Sequence, residues 1–166
     1  MSETLFSTGA DSLSIDVVPE NIVEETEAQA ISKNKGETFV YQGDKSTGIL
    51  FILRYPDYPY FSPQAEEAFV KTIGALQLTL QNVAVVNLAN AHNPNDFKQI
   101  MDFFNPIKIT LLGVEPASLK LPAIPHNSYM KGKRATVFNT FSFEEMFADV
   151  GKKKAFWMEF KTFING

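Results

Sequence analysis

The sequence predicts an α/β fold of three layers, in which a mainly parallel, four-stranded central sheet carries helices on both faces and an acidic extension precedes it. Three observations lead there. Residues 48–91 run from the apolar stretch Ile49-Leu50-Phe51-Ile52-Leu53 through a capped amphipathic helix to Val83-Ala84-Val85-Val86, which is one βαβ unit. Both stretches are apolar at every position rather than at alternate ones, so each strand is buried on both faces and needs a helix layer above and below. Two further strand-like runs, residues 107–113 and 134–138, bring the central sheet to four.

Taken in order, the first ten residues are polar with Leu5 and Phe6 as apolar anchors, and predict an unstructured start. Pro19 stands at a first helical position, with Glu20, Glu24, Glu25 and Glu27 in the early turns and Lys33, Lys35 and Gly36 at the end, so residues 19–32 read as a short acidic helix. Thr38-Phe39-Val40-Tyr41 is β-branched and aromatic, a peripheral strand, and the Gly43–Gly48 stretch is a turn. Ser62-Pro63 supplies a cap and a first-turn proline, after which Phe69, Ile73 and Leu76 recur at helical spacing. Asn93-Pro94 has the same look, and predicts a helix turning Phe97, Ile100, Met101 and Phe104 inward until Asn105-Pro106 stops it. Glu115-Pro116-Ala117 begins a short helix, and Pro122, Pro125 and His126-Asn127-Ser128 read as an irregular connection. From Ser142 the chain turns helical again, with a break expected at Gly151 and a last helix placing Phe156, Trp157, Phe160 and Phe163 in the core.

A chain of 166 residues is one α/β domain, taken as residues 37–166, with residues 1–36 as the extension. It contains no cysteine, which excludes disulfides, thiolate metal sites and cysteine nucleophiles. Met1-Ser2-Glu3-Thr4 is not a basic start leading into an apolar stretch, and no run is apolar enough to cross a membrane, so a soluble, cytoplasmic protein without membrane contact is expected. Charge is divided. Residues 1–44 hold nine carboxylates against Lys33 and Lys35, a net −7, whereas residues 45–166 hold thirteen Lys and Arg against ten Asp and Glu, a net +3. An acidic leader of this kind is a solvated tail, docks on its own body, or is offered to a basic partner.

Ligands of open α/β sheets sit beyond the carboxyl ends of the strands, which here means residues 54–61 and 87–94. The first loop, Arg54-Tyr55-Pro56-Asp57-Tyr58-Pro59-Tyr60-Phe61, combines tyrosines, a cation and a carboxylate. Arg54, Tyr55, Asp57, Tyr58 and Tyr60 are therefore binding candidates, able to stack a base or hold a peptide; the alternative is that the rings cover the sheet end and the prolines stiffen the loop. The loop has no glycine, so it is no phosphate-cradling turn. The second loop offers Asn87 and His92, while Asn90, Asn93 and Asn95 have structural explanations as turn, cap and first-turn residues. His92 and His126 form no metal pattern, and neither a metal nor a cofactor is expected. Lys131-Gly132-Lys133-Arg134 and Lys152-Lys153-Lys154 could meet phosphates, weakly and without sequence preference, or be solvated surface.

Read by role, residues 48–163 resemble the uracil-DNA glycosylase superfamily, and within it the psi subunits of bacterial DNA polymerase III. The resemblance rests on Ser62-Pro63-Gln64-Ala65-Glu66-Glu67-Ala68-Phe69, the helix end Ile73-Gly74-Ala75-Leu76, Gln81-Asn82-Val83 leading to Asn87, Thr110 to Ala117, and the closing Lys153-Lys154-Ala155-Phe156-Trp157 helix. It implies the three-layer fold. Active glycosylases of the superfamily have a glycine-rich loop with a water-activating acid or amide after the first strand, and a histidine-proline-serine loop after the last. Here those places hold residues 55–61 without glycine and Asn139-Thr140-Phe141-Ser142 without histidine or proline. The resemblance thus implies an adaptor rather than an enzyme. Psi subunits are non-catalytic connectors that bind the clamp loader through an extended N-terminal segment and a second subunit through the globular body, so a protein partner, possible within the replication machinery, is expected. The competing reading is a divergent glycosylase or other nucleobase-processing enzyme with Asp57, Asn87 and Asn139 as its catalytic candidates; for that activity the departing base anion would lack a donor.

Overall fold

The run Ile49-Leu50-Phe51-Ile52-Leu53 is strand β2 (Ile49–Leu53), and all but its first residue are buried. It lies at the heart of a six-stranded sheet in a computed structural model that describes residues 38–166. The other strands are β1 (Tyr41–Gly43), β3 (Ala84–Asn87), β4 (Lys108–Leu112), β5 (Ser128–Lys131) and β6 (Thr136–Thr140), and the order across the sheet is β1-β3-β2-β4-β6-β5. The four central strands are parallel, with Leu50 beside Ala84 and Ile109, and Ile109 beside Val137. They are the four that the sequence predicts. The sheet is wider because an antiparallel strand is added at each edge, β1 on β3 and β5 on β6. The acidic helix expected at residues 19–32 and the unstructured start lie outside the described residues.

Among the described residues there are four α-helices: α1 (Pro63–Gly74), α2 (Phe97–Phe104), α3 (Phe143–Ala148) and α4 (Val150–Asn165). Two buried clusters divide them between the faces. On one, Leu50, Ile52, Ala84, Val86, Ile109, Leu111 and Val137 pack against Ile100, Met101 and Phe104 of α2. On the other, Phe51, Leu53, Val85 and Phe138 meet Phe69 and Ile73 of α1, Phe143 and Met146 of α3, and Phe156, Phe160 and Phe163 of α4. Alternate residues of each strand thus serve opposite layers, as strands buried on both faces must.

Local chemistry sets most helix ends. Ser62 caps α1 by accepting from the Ala65 N–H, and Pro63 follows at the first turn. Asn105 ends α2 in the left-handed conformation (φ 47°, ψ 51°). Four boundaries differ from expectation. The peripheral strand expected over residues 38–41 is Tyr41–Gly43. Helix α2 begins at Phe97, capped by Asp96, and not at Asn93-Pro94, because Asn93 is held elsewhere: its Oδ1 accepts from the Val40 N–H at 2.7 Å and its Nδ2 donates to the carbonyls of Val40 and Asn87. The break after α3 falls at Asp149, whose carboxylate caps α4 by accepting from the N–H groups of Gly151 and Lys152. Strand β6 runs on to Thr140, so Asn139 lies inside the sheet rather than in the loop beyond it. The short helix expected from Glu115 is a 3-10 turn, Pro116–Leu119.

Thr110 of β4 is the polar exception within the phenylalanine-rich face. It lies in register between Phe51 and Phe138, and its Oγ1 is buried with no hydrogen-bond partner. A buried hydroxyl without a partner carries an uncompensated desolvation cost of about 1–3 kcal/mol. Thr110→Val is therefore expected to leave the urea midpoint unchanged or raise it; a drop would reveal a hydrogen bond to Oγ1.

Candidate functional site

Helix α1 joins β2 to β3 over one face of the sheet and α2 joins β3 to β4 over the other, so the chain reverses direction across the sheet between β2 and β4. A crevice beyond the carboxyl ends of these strands is the place where such folds hold ligands. One is present, with a volume of about 670 Å³, between Tyr55, Tyr58 and Ser62 on one side and Gly113, Ser142 and Glu144 on the other. Gly113 makes the close approach of the β4 end to Ser142 possible: its φ is +72°, and a Cβ there would come within 2.8 Å of the Ser142 side chain.

The crevice wall is held by Asn87. This side chain is buried at the end of β3; its Oδ1 accepts from the N–H groups of Tyr55 (2.9 Å) and Ala89 (3.1 Å). Its Nδ2 donates to the carbonyls of Tyr55, Tyr58 and Pro59 at 2.9, 2.9 and 3.1 Å. An amide with two donor hydrogens and one acceptor oxygen has nothing left for a ligand. Asn87 is the clasp of the β2–α1 loop.

Two further contacts close the loop onto α3. The Tyr55 phenol donates to one oxygen of the Glu144 carboxylate at 2.6 Å, and the Ser62 hydroxyl donates to the other at 2.6 Å. Burial, reinforced by the bond to Glu144, pushes the Tyr55 pKa well above its ordinary value, so the phenol remains a donor. Neither Ser62 nor Glu144 was a sequence candidate. A signal for Glu144 does exist: Ser142 and Glu145 complete a capping box, which leaves the second carboxylate of the first turn of α3 free for another task.

The remaining candidates disperse. Arg54 donates to the Ser118 hydroxyl (2.8 Å) and to Asn95 Oδ1 (2.6 Å), tying the end of β2 to the β3–α2 loop, and partial burial lowers its pKa. Tyr58 is 42% exposed, while Tyr60 is half-buried against the phenylalanine-rich layer, which raises its pKa. The rings of Tyr55 and Tyr58 meet edge-on at 6.3 Å, covering the sheet end. Asp57 is exposed at the loop tip, and His92 stands in an exposed turn where its N–H donates to Asn90. Asn139 is buried and donates to the Ile124 carbonyl at 2.7 Å. Register places Asn87 beside Leu53 and Asn139 beside Leu111, whose side chains serve opposite faces of the sheet. Asn87 and Asn139 therefore do not converge with Asp57 on one polar centre.

The cations of the body have structural tasks as well. Lys45 donates to the Phe103 carbonyl (3.2 Å), Arg134 to the Met101 carbonyl (3.3 Å), and Lys108 to the Ile164 carbonyl, so each serves the carboxyl end of a helix. Within the basic run Lys131-Gly132-Lys133-Arg134, the Gly132 N–H donates to the Ala135 carbonyl in the β5–β6 turn. Among the described residues no group of His, Cys, Asp and Glu could hold a metal ion, and no helix is long and apolar enough to cross a membrane.

A second concavity, of about 400 Å³, lies between α1 and the α3–α4 pair. Ala68, Thr72 and Ala75 line one wall, and Phe147, Phe156 and Trp157 the other. This corrects the expectation for Trp157. Phe156, Phe160 and Ile73 are in the core as expected, but Trp157 is only partly buried and faces the groove. Neither a comparison with protein-family models nor one with curated proteins finds a match for the chain.

Proposed function

We propose that the protein is a non-catalytic adaptor with a uracil-DNA glycosylase-like fold, similar to the psi subunits, which joins protein partners of the DNA replication or repair machinery in the cytoplasm. The observation that carries this reading is the state of the crevice. Where a glycosylase would present a glycine-lined pocket and free catalytic groups, Asn87 is saturated by main-chain groups and Glu144 is bound by Tyr55 and Ser62. Base extrusion into a pocket needs close backbone approach and unengaged polar groups, and leaving-group stabilisation needs a positioned donor. The four parallel central strands, covered by helices on both faces, support the fold part of the reading.

In this reading the acidic leader, residues 1–36, binds the clamp loader and the body binds a second protein. Contacts with nucleic acid are weak and dependent on salt, since Lys45, Lys108 and Arg134 are engaged at helix ends. Full-length protein is expected to release no uracil from single- or double-stranded DNA carrying it. Release that disappears in Asp57→Asn would replace the adaptor by the enzyme reading.

A further inference from the structure

Among the described residues, α1 and α4 flank an open groove. Both helices start near the carboxyl ends of the strands and lie on the same face, meeting the sheet at a shared residue: Phe69 of α1 and Phe160 of α4 lie 4.8 and 6.0 Å from Phe51. On the α1 side the small residues Ala68, Thr72 and, at the helix end, Ala75 line the groove, bordered by the longer Gln64, Glu67 and Lys71. The opposite wall is broad and apolar, with Phe156 at its base and the partly buried Trp157 and Phe147 along it, Phe147 being 36% exposed. A groove of about 400 Å³ accommodates a few anchoring side chains, as when an amphipathic helix lays its apolar stripe into a groove.

Charge around the groove selects the occupant. On the α1 rim Glu67 is paired with Lys71 at 3.6 Å, so that pair is neutral. On the α4 rim Lys153 lines the groove and Lys161 stands 6.0 Å over the Trp157 ring. Among the described residues neither lysine has an ion-pair partner, in contrast to the cations engaged at the helix ends. The α4 rim therefore presents uncompensated positive charge beside an apolar floor.

We infer that this groove seats one amphipathic helix of a partner protein, apolar along its buried stripe and acidic on the flank that meets α4. The inference rests on the adaptor reading and names the chemistry of the partner that the body binds. Trp157 is the sole tryptophan of the chain and reports occupancy directly.

The test titrates the full-length protein with two synthetic peptides of about four helical turns, sharing a leucine stripe at i, i+4 and i+7 and differing only in whether Glu or Lys flanks it. The Glu peptide is expected to shift Trp157 emission to the blue and to saturate, with affinity falling about tenfold in Lys153→Glu/Lys161→Glu. The Lys peptide is expected to leave the emission unchanged. No shift with the Glu peptide, or equal binding of both peptides, overturns the assignment. A blue shift that grows with protein concentration in the absence of peptide also overturns it, and gives the groove to a second copy of the chain. If the Glu peptide fails while the protein still co-elutes with the clamp loader, the groove assignment falls and the adaptor reading stands; peptide binding without that co-elution separates the two in the opposite sense.

Discussion

Asn87→Ala is expected to free the β2–α1 loop and to destabilise the protein by about 3 kcal/mol. The substitution removes every bond that holds the loop to the end of β3: the N–H groups of Tyr55 and Ala89 lose their acceptor, and the carbonyls of Tyr55, Tyr58 and Pro59 lose their donor. Because Asn87 is 2% exposed, water does not replace these bonds without opening the site. Urea denaturation measures the cost, and limited proteolysis within residues 55–61 reports the opening. Asn87→Asp is expected to be at least as damaging at neutral pH, since its carboxylate would donate nothing to three carbonyl oxygens. A variant whose midpoint and proteolysis are unchanged would mean that the loop is held by its aromatic packing and by the bonds of Tyr55 and Ser62 to Glu144.

Phe160→Ala has the other large expected effect, about 3–5 kcal/mol. The ring is 1% exposed and packs at 4.9 Å from Phe156 and 6.0 Å from both Phe51 and Phe138, so its removal leaves a cavity between α4 and two strands. Trp157→Ala, on the same helix, is expected to cost less, because that larger side chain faces the groove. Denaturation midpoints of the two variants compare them directly. The reverse ranking would place Trp157 inside the core and remove its wall from the groove.

The legible parts of the fold were those encoded within a few residues. Ile49-Leu50-Phe51-Ile52-Leu53 is apolar at every position and so declares a strand covered on both faces, while Ser62-Pro63 carries both cap and first-turn signals. Features set by distant partners were not legible. Asn93 has the look of a helix cap, but its amide is taken by Val40, 53 residues away, and Asp96 becomes the cap instead. Strand β5 carries no strand signal in the sequence, because an edge strand needs little apolar character; it alternates half-buried Ser128 and Met130 with exposed Tyr129 and Lys131. The site behaved in the same way. The tyrosine loop was visible as a concentration of aromatic residues, yet its link to Glu144 spans 89 positions from Tyr55. Asn87 stands out in the sequence only as a polar residue at the end of a central strand and a binding or catalytic candidate; its structural task follows from the three carbonyls that converge on it.

The adaptor reading is tested most directly by size-exclusion chromatography of the full-length protein with the reconstituted polymerase III clamp loader of the same cell, in parallel with a chain lacking residues 1–36. The account predicts that the full-length protein co-elutes with the clamp loader, and that the shortened chain unfolds cooperatively but elutes alone. Full-length protein that elutes apart from the clamp loader would contradict it.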